Sequence, residues 1–523
     1  MEELSHIRYL RIVCCWQFWK MVLERLDVDY NCTDIDMNMF ESFLKDLQSM
    51  VYYNLNGSII GTDENIHHLV DVWYLLKFIG IPWGDRPLPF SIPPIGEWDV
   101  SQVTDMSGLF EYKSSFDANI EAWDVSSVTN MESMFCGARS FNQPLNSWDV
   151  SSVTDMGLMF LGAHSFNQPL DSWDVSSVTN MESMFHGAKV FNRPIGGWDV
   201  SSVTNMGWMF DGACSFNQPV GGWDVSSVAD MTSMFYGASS FNQPVGGWDV
   251  SSVKNMTSMF YGACSFNQPV GSWDVSSVTD MESMFHGAKV FNRPIGDWNV
   301  SSVKNMSSMF NGARSFNQPV GGWDVSSVTD MESMFHGACS FNQPLGRWDV
   351  SSVTDMGWMF DGACSFNQPI GRWDTSKVTC MKRMFSMANA FNQPIGLWNV
   401  SFVTSMESMF DGAKVFNQSI GKWNVSLVTN MKSMFCGARC FDKNIATWNL
   451  HPNADVTNMF VGTRCTFYIY LQSNYKRKID DEVDDKSSSS SVHVHNCKGV
   501  RKKKRMGDLV HPVPVPVNEN LVQ

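Results

Sequence analysis

The residues of this chain that come closest to a chemical site are carboxylates recurring at one position. An Asp directly follows a Trp every 25 residues, at Asp124, Asp149, Asp174, Asp199, Asp224, Asp249 and Asp274. If successive units stack at the spacing of parallel strands, about 4.8 Å, these carboxylates repel one another unless something offsets their charge. The interpretation we favour is that each carboxylate accepts hydrogen bonds from its own Ser-Ser-Val turn. The alternatives are bound calcium or a basic partner, although Asn replaces Asp in some units and binds calcium less well.

Other reactive residue types do not form a catalytic pattern. Ser151, Ser152 and Thr154 recur in almost every unit, whereas an active site needs a unique, asymmetric group of residues. His186, His286 and His336 share one position, which we expect to be exposed on a short helix; the last two are two units, or about 10 Å, apart, too far to share a metal ion. The 13 cysteines include no Cys-x-x-Cys pair. We therefore expect reduced thiols, no enzyme activity, no metal and no cofactor.

The residue just before each repeat Trp varies in charge. Units from 121 to 300 are neutral or acidic there, whereas later units carry Arg347, Arg372 and Lys422. Together with the seven Asp residues, these three form our candidate partner-binding face, which is acidic at one end and basic at the other. A charged partner should dock on it in one orientation. Glycines at the two positions before Trp should let that partner approach closely.

A 25-residue repeat positions all of these residues. Trp recurs without insertion or deletion from Trp98 to Trp448. Leu145, Trp148 and Val150 follow the pattern L-x-x-L-x-L, which predicts a strand. Met156, Met159, Phe160 and Ala163 have the i, i+3, i+4, i+7 spacing of a short helix, and an Asn-Gln-Pro turn returns the chain. The predicted fold is an α/β repeat solenoid, leucine-rich-repeat-like, of about 15 coils with ladders of Trp, Met and Phe in its core.

The unit W-D-V-S-S-V-T-D-M-x-x-M-F-x-G-A-x-x-F-N-Q-P-I-G resembles a known repeat. It is similar to the 25-residue repeat of mycoplasma surface lipoproteins, which belongs to the BspA-like group of leucine-rich-repeat proteins. The resemblance covers Ile95 to about Gly462 and implies a role in adhesion or protein binding without catalytic residues. Those relatives carry export signals, and we see none here.

The two ends of the chain depart from the repeat. Residues 1–90 should form a helical N-terminal domain, with a third helix through Ile66 to Lys77 capped by Thr62 or Asp63. Part of this domain resembles the second half of a BTB/POZ or Skp1-type fold, although an unrelated helical cap is the interpretation we favour. The repeats should run over 95–471, with a closing strand from Thr463 to Leu471, and residues 474–523 should be a disordered tail. In that tail, a nuclear-import signal or a solvated charge run is formed by Arg501, Lys502, Lys503, Lys504 and Arg505.

Charge and hydropathy narrow the function further. The net charge of -16 argues against a specific nucleic-acid partner, because phosphate binding needs a basic surface. A signal peptide and a transmembrane segment are not predicted, so we expect an intracellular protein, cytoplasmic or nuclear. The predicted function is a non-enzymatic repeat scaffold that binds a protein or another macromolecule. Two alternatives stay open, a surface adhesin of the BspA-like type and a ubiquitin-ligase substrate adaptor.

Overall fold

The computed structural model describes residues 52–53, 59–78 and 93–464. In chain order these contain strand β1 (Tyr52–Tyr53), strand β2 (Ile59–Thr62), helix α1 (Ile66–Phe78), a 3-10 helix (Ile95–Glu97) and strand β3 (Asp99–Gln102). Strand β2 pairs antiparallel with β1 and parallel with β3. The first two predicted helices, most of the predicted closing strand, the tail and its basic cluster lie outside the described residues.

From residue 93 onward the chain is a stack of 25-residue units in parallel register. Isolated parallel bridges join the residue before each unit's first Met to its equivalent one unit later, from Asp105–Asn130 to Asn430–Asp455. The Thr129 amide donates to the Thr104 carbonyl at 2.8 Å, and most later units repeat this bond. Each unit therefore contacts the next through backbone hydrogen bonds, as predicted for parallel in-register stacking.

The short helix predicted for each unit is wrong. Ser133 and Gly137 have φ angles of 58° and 68°, and this left-handed region interrupts a right-handed helix. Tight turns take its place: the Met134 amide donates to the Met131 carbonyl at 3.2 Å. Other backbone amides of these turns donate to carbonyls of the next unit rather than within their own unit. The Phe135 amide, for example, donates to the Met159 carbonyl at 2.8 Å.

The predicted strand around each Trp is also wrong, except in the first unit, where β3 follows Trp98. In the described units after it, a turn precedes the Trp, closed in one unit by a 3.1 Å bond from the Trp148 amide to the Leu145 carbonyl. The α/β description thus does not hold for these units, which are chains of turns joined by single bridges. Apolar residues three or four apart face inward from consecutive turns as well as from a helix, so the spacing alone does not distinguish the two.

The core is a set of columns; those of Trp, Met and Phe repeat one residue type from unit to unit, and the column three before Trp contains Ile, Leu or Val. Phe260 is fully buried, and its ring lies 5.6 Å from the rings of both Phe235 and Phe285 in the neighbouring units. Within its own unit it stacks on Phe266 at 4.0 Å. Each buried Trp of the Trp column brings an indole N–H into the core, where the N–H needs a hydrogen-bond acceptor. Trp273 Nε1 donates to the backbone carbonyl of Val245, 28 residues earlier, at 3.0 Å.

Helix α1 and strand β2 cover the first unit. Trp73 of α1 meets Phe116 edge-on at a ring distance of 6.0 Å, and Lys113 forms a 2.7 Å ion pair with Asp71. The third predicted helix is confirmed, but neither predicted cap is correct. The helix begins after Asn65, whose carbonyl accepts the first helical bond from Leu69 at 2.9 Å. The Asp63 carboxylate bonds to the first unit instead.

Candidate binding face

Three positions of each unit define a surface that we call the outer face: the residue before the repeat Trp, the residue after it, and the residue four after it. In the units after the first, the Trp side chain is buried and both of its chain neighbours are exposed. The predicted binding residues all lie exposed on this face: Asp124, Asp149, Asp174, Asp199, Asp224, Asp249, Asp274, Arg347, Arg372 and Lys422.

The Asp row is held by hydrogen bonds from its own turns, as we favoured from the sequence. Asp174 Oδ1 accepts from the Ser176 hydroxyl at 2.7 Å and from the Ser176 amide at 3.1 Å. These bonds, the hydroxyl first, lower the pKa of Asp174 below its ordinary value, against the opposing effects of burial and of the Asp149 carboxylate. Where Asn stands in the row the bond is kept, since Asn399 Oδ1 accepts from the Ser401 amide at 3.1 Å. Hydrogen bonds within each turn therefore account for the repeated Asp without a bound cation.

The His position lies in a half-buried column on a different part of the unit, on turns rather than on the exposed helix we predicted. His286 stacks on Tyr261 at 4.2 Å, and Tyr261 stacks on Tyr236 at 4.3 Å. Burial lowers the pKa of His286. His336 lies 3.8 Å from the carboxylate of Asp361, a residue that is only 3% exposed. Across residues 52–53, 59–78 and 93–464, no three His, Cys, Asp or Glu side chains are grouped as a metal would require.

The cysteines of the described ranges are all free. Burial raises the pKa of both Cys136 and Cys380 to about 11. Because the thiolate is the nucleophilic form, these two thiols are protonated at neutral pH and react slowly.

The first of the two glycines before the repeat Trp has a packing role that the sequence did not reveal. A Cβ atom added to Gly221 would lie 2.2 Å from the Pro244 carbonyl oxygen in the next unit, whereas one added to Gly222 would meet nothing within 4 Å. The first glycine of the pair thus permits close contact between units. Only the second is placed where a small residue opens space toward a partner.

Sequence reasoning missed three apolar side chains on the same face. Leu397 is 86% exposed, Phe402 is 60% exposed and Leu427 is 48% exposed. They stand at the positions before Trp and four after it, where most other units have Gly or Ser. The signal was present in the sequence as a local departure from the repeat, and aligning the units position by position would have found it.

Taken together, the stacked units define a repeat protein. A family model described as "Mycoplasma protein of unknown function, DUF285" matches five overlapping ranges that together cover most of the chain: residues 89–195, 170–273, 191–298, 264–372 and 356–467. The chain belongs to this family, which confirms the mycoplasma-type repeat predicted from the sequence. Neither a curated protein nor a solved structure matches the chain. In the part that the structure describes, no helix has the length and apolar character needed to cross a membrane.

Proposed function

We propose that this protein is a non-enzymatic scaffold, an elongated repeat solenoid whose outer face binds another protein or macromolecule. The observation that carries the proposal is a contrast between columns. The Trp, Met and Phe positions of the core keep one residue type through nearly every unit, whereas the exposed position before Trp changes among Gly, Ser, Ala, Thr, Asp, Glu, Arg, Lys and Leu. Packing explains the first kind of column, and an exposed column that varies suits recognition of a partner.

Charge along the outer face supports an oriented partner. Units around Asp174 and Asp224 present carboxylates with Gly or Ser beside them. Units around Arg347 and Arg372 present guanidinium groups at the neighbouring position. A partner with the opposite arrangement of charge would be steered into one orientation, and its association rate would fall as salt is added. Within this proposal the protein acts inside the cell, a reducing environment that suits the free cysteines of the described ranges.

The test uses the full chain, affinity purification from the native cell, and cross-linking with mass spectrometry. The variant Arg347→Glu/Arg372→Glu/Lys422→Glu should either fail to bind the partner or bind it with an altered dependence on salt concentration. The matched control, Arg139→Glu/Lys189→Glu/Lys289→Glu, reverses three exposed basic residues of a different column and should bind as wild type does. Cross-links that fall entirely outside residues 93–464 would contradict a scaffold role for the repeats.

A further inference from the structure

The strongest unexplained feature of the described residues is a cluster of apolar and basic side chains on the outer face of three successive units. Arg372, Leu397 and Lys422 occupy the position before Trp. At the position four after Trp stand Lys377, Phe402 and Leu427. All six side chains are exposed, and we call them the Leu397 patch.

Both columns change character near the patch, the column before Trp one unit earlier than the column four after it. The position four after Trp is Ser in ten consecutive units, from Ser127 to Ser352, and then becomes Lys377, Phe402 and Leu427. The position before Trp is Gly322 one unit before Arg347 and turns basic or apolar from there to Lys422. The fold accepts Ser and Gly at these positions, so packing of the stack does not require the larger side chains.

Stacking of the units places the six side chains next to one another. Trp373 and Trp398, each of which lies between the two patch positions of its unit, stack at 6.2 Å. The Thr404 amide donates to the Thr379 carbonyl at 2.9 Å, and the Thr429 amide donates to Thr404 at the same distance. Phe402 therefore lies between Lys377 and Leu427, at about one strand spacing from each.

The charge of the patch is opposite to that of the Asp row that precedes it, in which Arg347 beside Asp349 is the nearest basic residue. Asn399 and Asn424 replace Asp in two of the three units, leaving Asp374 as the Asp-row carboxylate among three cations. In the preceding units the row continues as Asp324 and Asp349, each with an exposed carboxylate. The patch is thus a positively charged, apolar island at the end of an acidic row.

We propose that the Leu397 patch binds an acidic peptide segment that carries apolar side chains. Exposure of Leu397, Phe402 and Leu427 to water is unfavourable, and contact with apolar side chains of a partner would remove that cost. Carboxylates of the same partner would meet Arg372, Lys377 and Lys422. This inference rests on the proposed binding function and names the chemistry of the partner.

A peptide segment fits this surface better than an anionic membrane. A bilayer is flat and extends well beyond three units, so its negative surface would also face the exposed carboxylate of Asp324, which has Gly322 rather than a basic residue beside it and lies two units, or about 10 Å, from the patch. A peptide touches the patch alone and avoids that repulsion.

The test measures binding of a fluorescent 12-residue peptide of alternating Glu and Leu to the full chain by anisotropy. The variant Leu397→Gly/Phe402→Ser/Leu427→Ser carries residues that the chain itself uses at Gly322, Ser327 and Ser352, so it should fold normally. We expect its affinity to be about tenfold lower. The control Val190→Ser/Val290→Ser removes two exposed apolar side chains away from the outer face and should bind as wild type does.

Three further measurements separate the competing occupants. A peptide of alternating Lys and Leu should not bind, and a phosphatidylserine vesicle should not be retained by the patch. Wild type and the triple variant should have the same mass by sedimentation. Peptide binding that the triple variant leaves unchanged would overturn the proposal, as would vesicle binding or self-association that the triple variant abolishes. If the patch fails while cross-links to a cellular partner persist on other units, the scaffold function stands and only its partner chemistry is wrong.

Discussion

Asp63 and Thr104 are joined by two hydrogen bonds of 2.7 Å, one from the Thr104 amide and one from its hydroxyl to the two carboxylate oxygens. In later units the equivalent amide, such as that of Thr129, donates to the carbonyl of the preceding unit. The first unit has no preceding unit, and the Asp63 side chain supplies the acceptor that is missing. The first unit of the stack, whose backbone would otherwise be left without hydrogen-bond partners, is capped by the Asp63 carboxylate as well as by apolar contacts.

Removing this carboxylate should loosen the first unit. We expect Asp63→Ala to cost about 1 kcal/mol locally, because hydrogen bonds to a charged group are lost. Hydrogen exchange should speed up at Thr104 and its neighbours and stay unchanged beyond the next units. Glu64→Ala, at the exposed adjacent residue, is the control and should leave exchange unaltered.

The same pair gives a pH dependence. Burial acts to raise the pKa of Asp63, but the hydrogen bonds from Thr104 and Asp105 outweigh it and the pKa lies below the ordinary value of 3.8. A lowered pKa stabilises the fold above the unfolded value, and the contribution is lost as pH falls through the folded value. Wild type and Asp63→Ala should therefore differ at neutral pH and converge in acid. A gap that widens below pH 3.8 would contradict this assignment.

Damage to the core should stay local. Phe260→Ala removes a fully buried ring from the column between Phe235 and Phe285 and should cost about 3–5 kcal/mol. Because each unit contacts mainly its neighbours, exchange should increase around residue 260 and recover a few units away. Val290→Ala, at a 43% exposed side chain, is the control and should change stability little. Uniform loss of protection across all units would be inconsistent with a stack of locally coupled units.

Adjacent glycines should differ sharply in tolerance. Gly221→Ala would place a Cβ atom 2.2 Å from the Pro244 carbonyl and should destabilise by about 1–3 kcal/mol, because neighbouring backbone must shift. Gly222→Ala meets open space and should be nearly neutral. Chemical denaturation of the two variants measures the difference. Equal stability would show that the units separate more easily than their backbone contacts indicate.

Serine should control the acidity of the Asp row. Ser176→Ala removes the hydroxyl bond that contributes most to the low pKa of Asp174, so this pKa should rise toward 3.8. Carbon NMR titration of labelled Asp residues measures the shift. Ser177→Ala, at the exposed next position, should leave the titration of Asp174 unchanged. The loss of stability in Ser176→Ala should vanish below the pKa of Asp174 in the folded protein, because the Asp174 carboxyl group is then neutral in both wild type and variant.

Several features of the fold followed from residue type and spacing. The exact 25-residue recurrence of Trp predicted in-register stacking, and the bridges between Asp105 and Asn130 and their equivalents confirm it. The apolar periodicity predicted which side chains are buried, and columns such as that of Phe260 are fully buried. The third helix was predicted within one residue of its end at Phe78. Hydrophobic burial depends on side-chain type, which a sequence states directly.

Backbone conformation was decided by tertiary structure. A positive φ at Ser133 and Gly137 turns a helical spacing into consecutive turns, and nothing in that spacing encodes the sign of φ. The amides of those turns find acceptors one unit away, as Phe135 does at Met159, so no hydrogen bond within the unit selects a helix. The same holds for Asp63, whose partner Thr104 lies 41 residues along the chain. The sequence thus determined which residues are inside and how often they repeat, while contacts between units decided how the backbone reaches them.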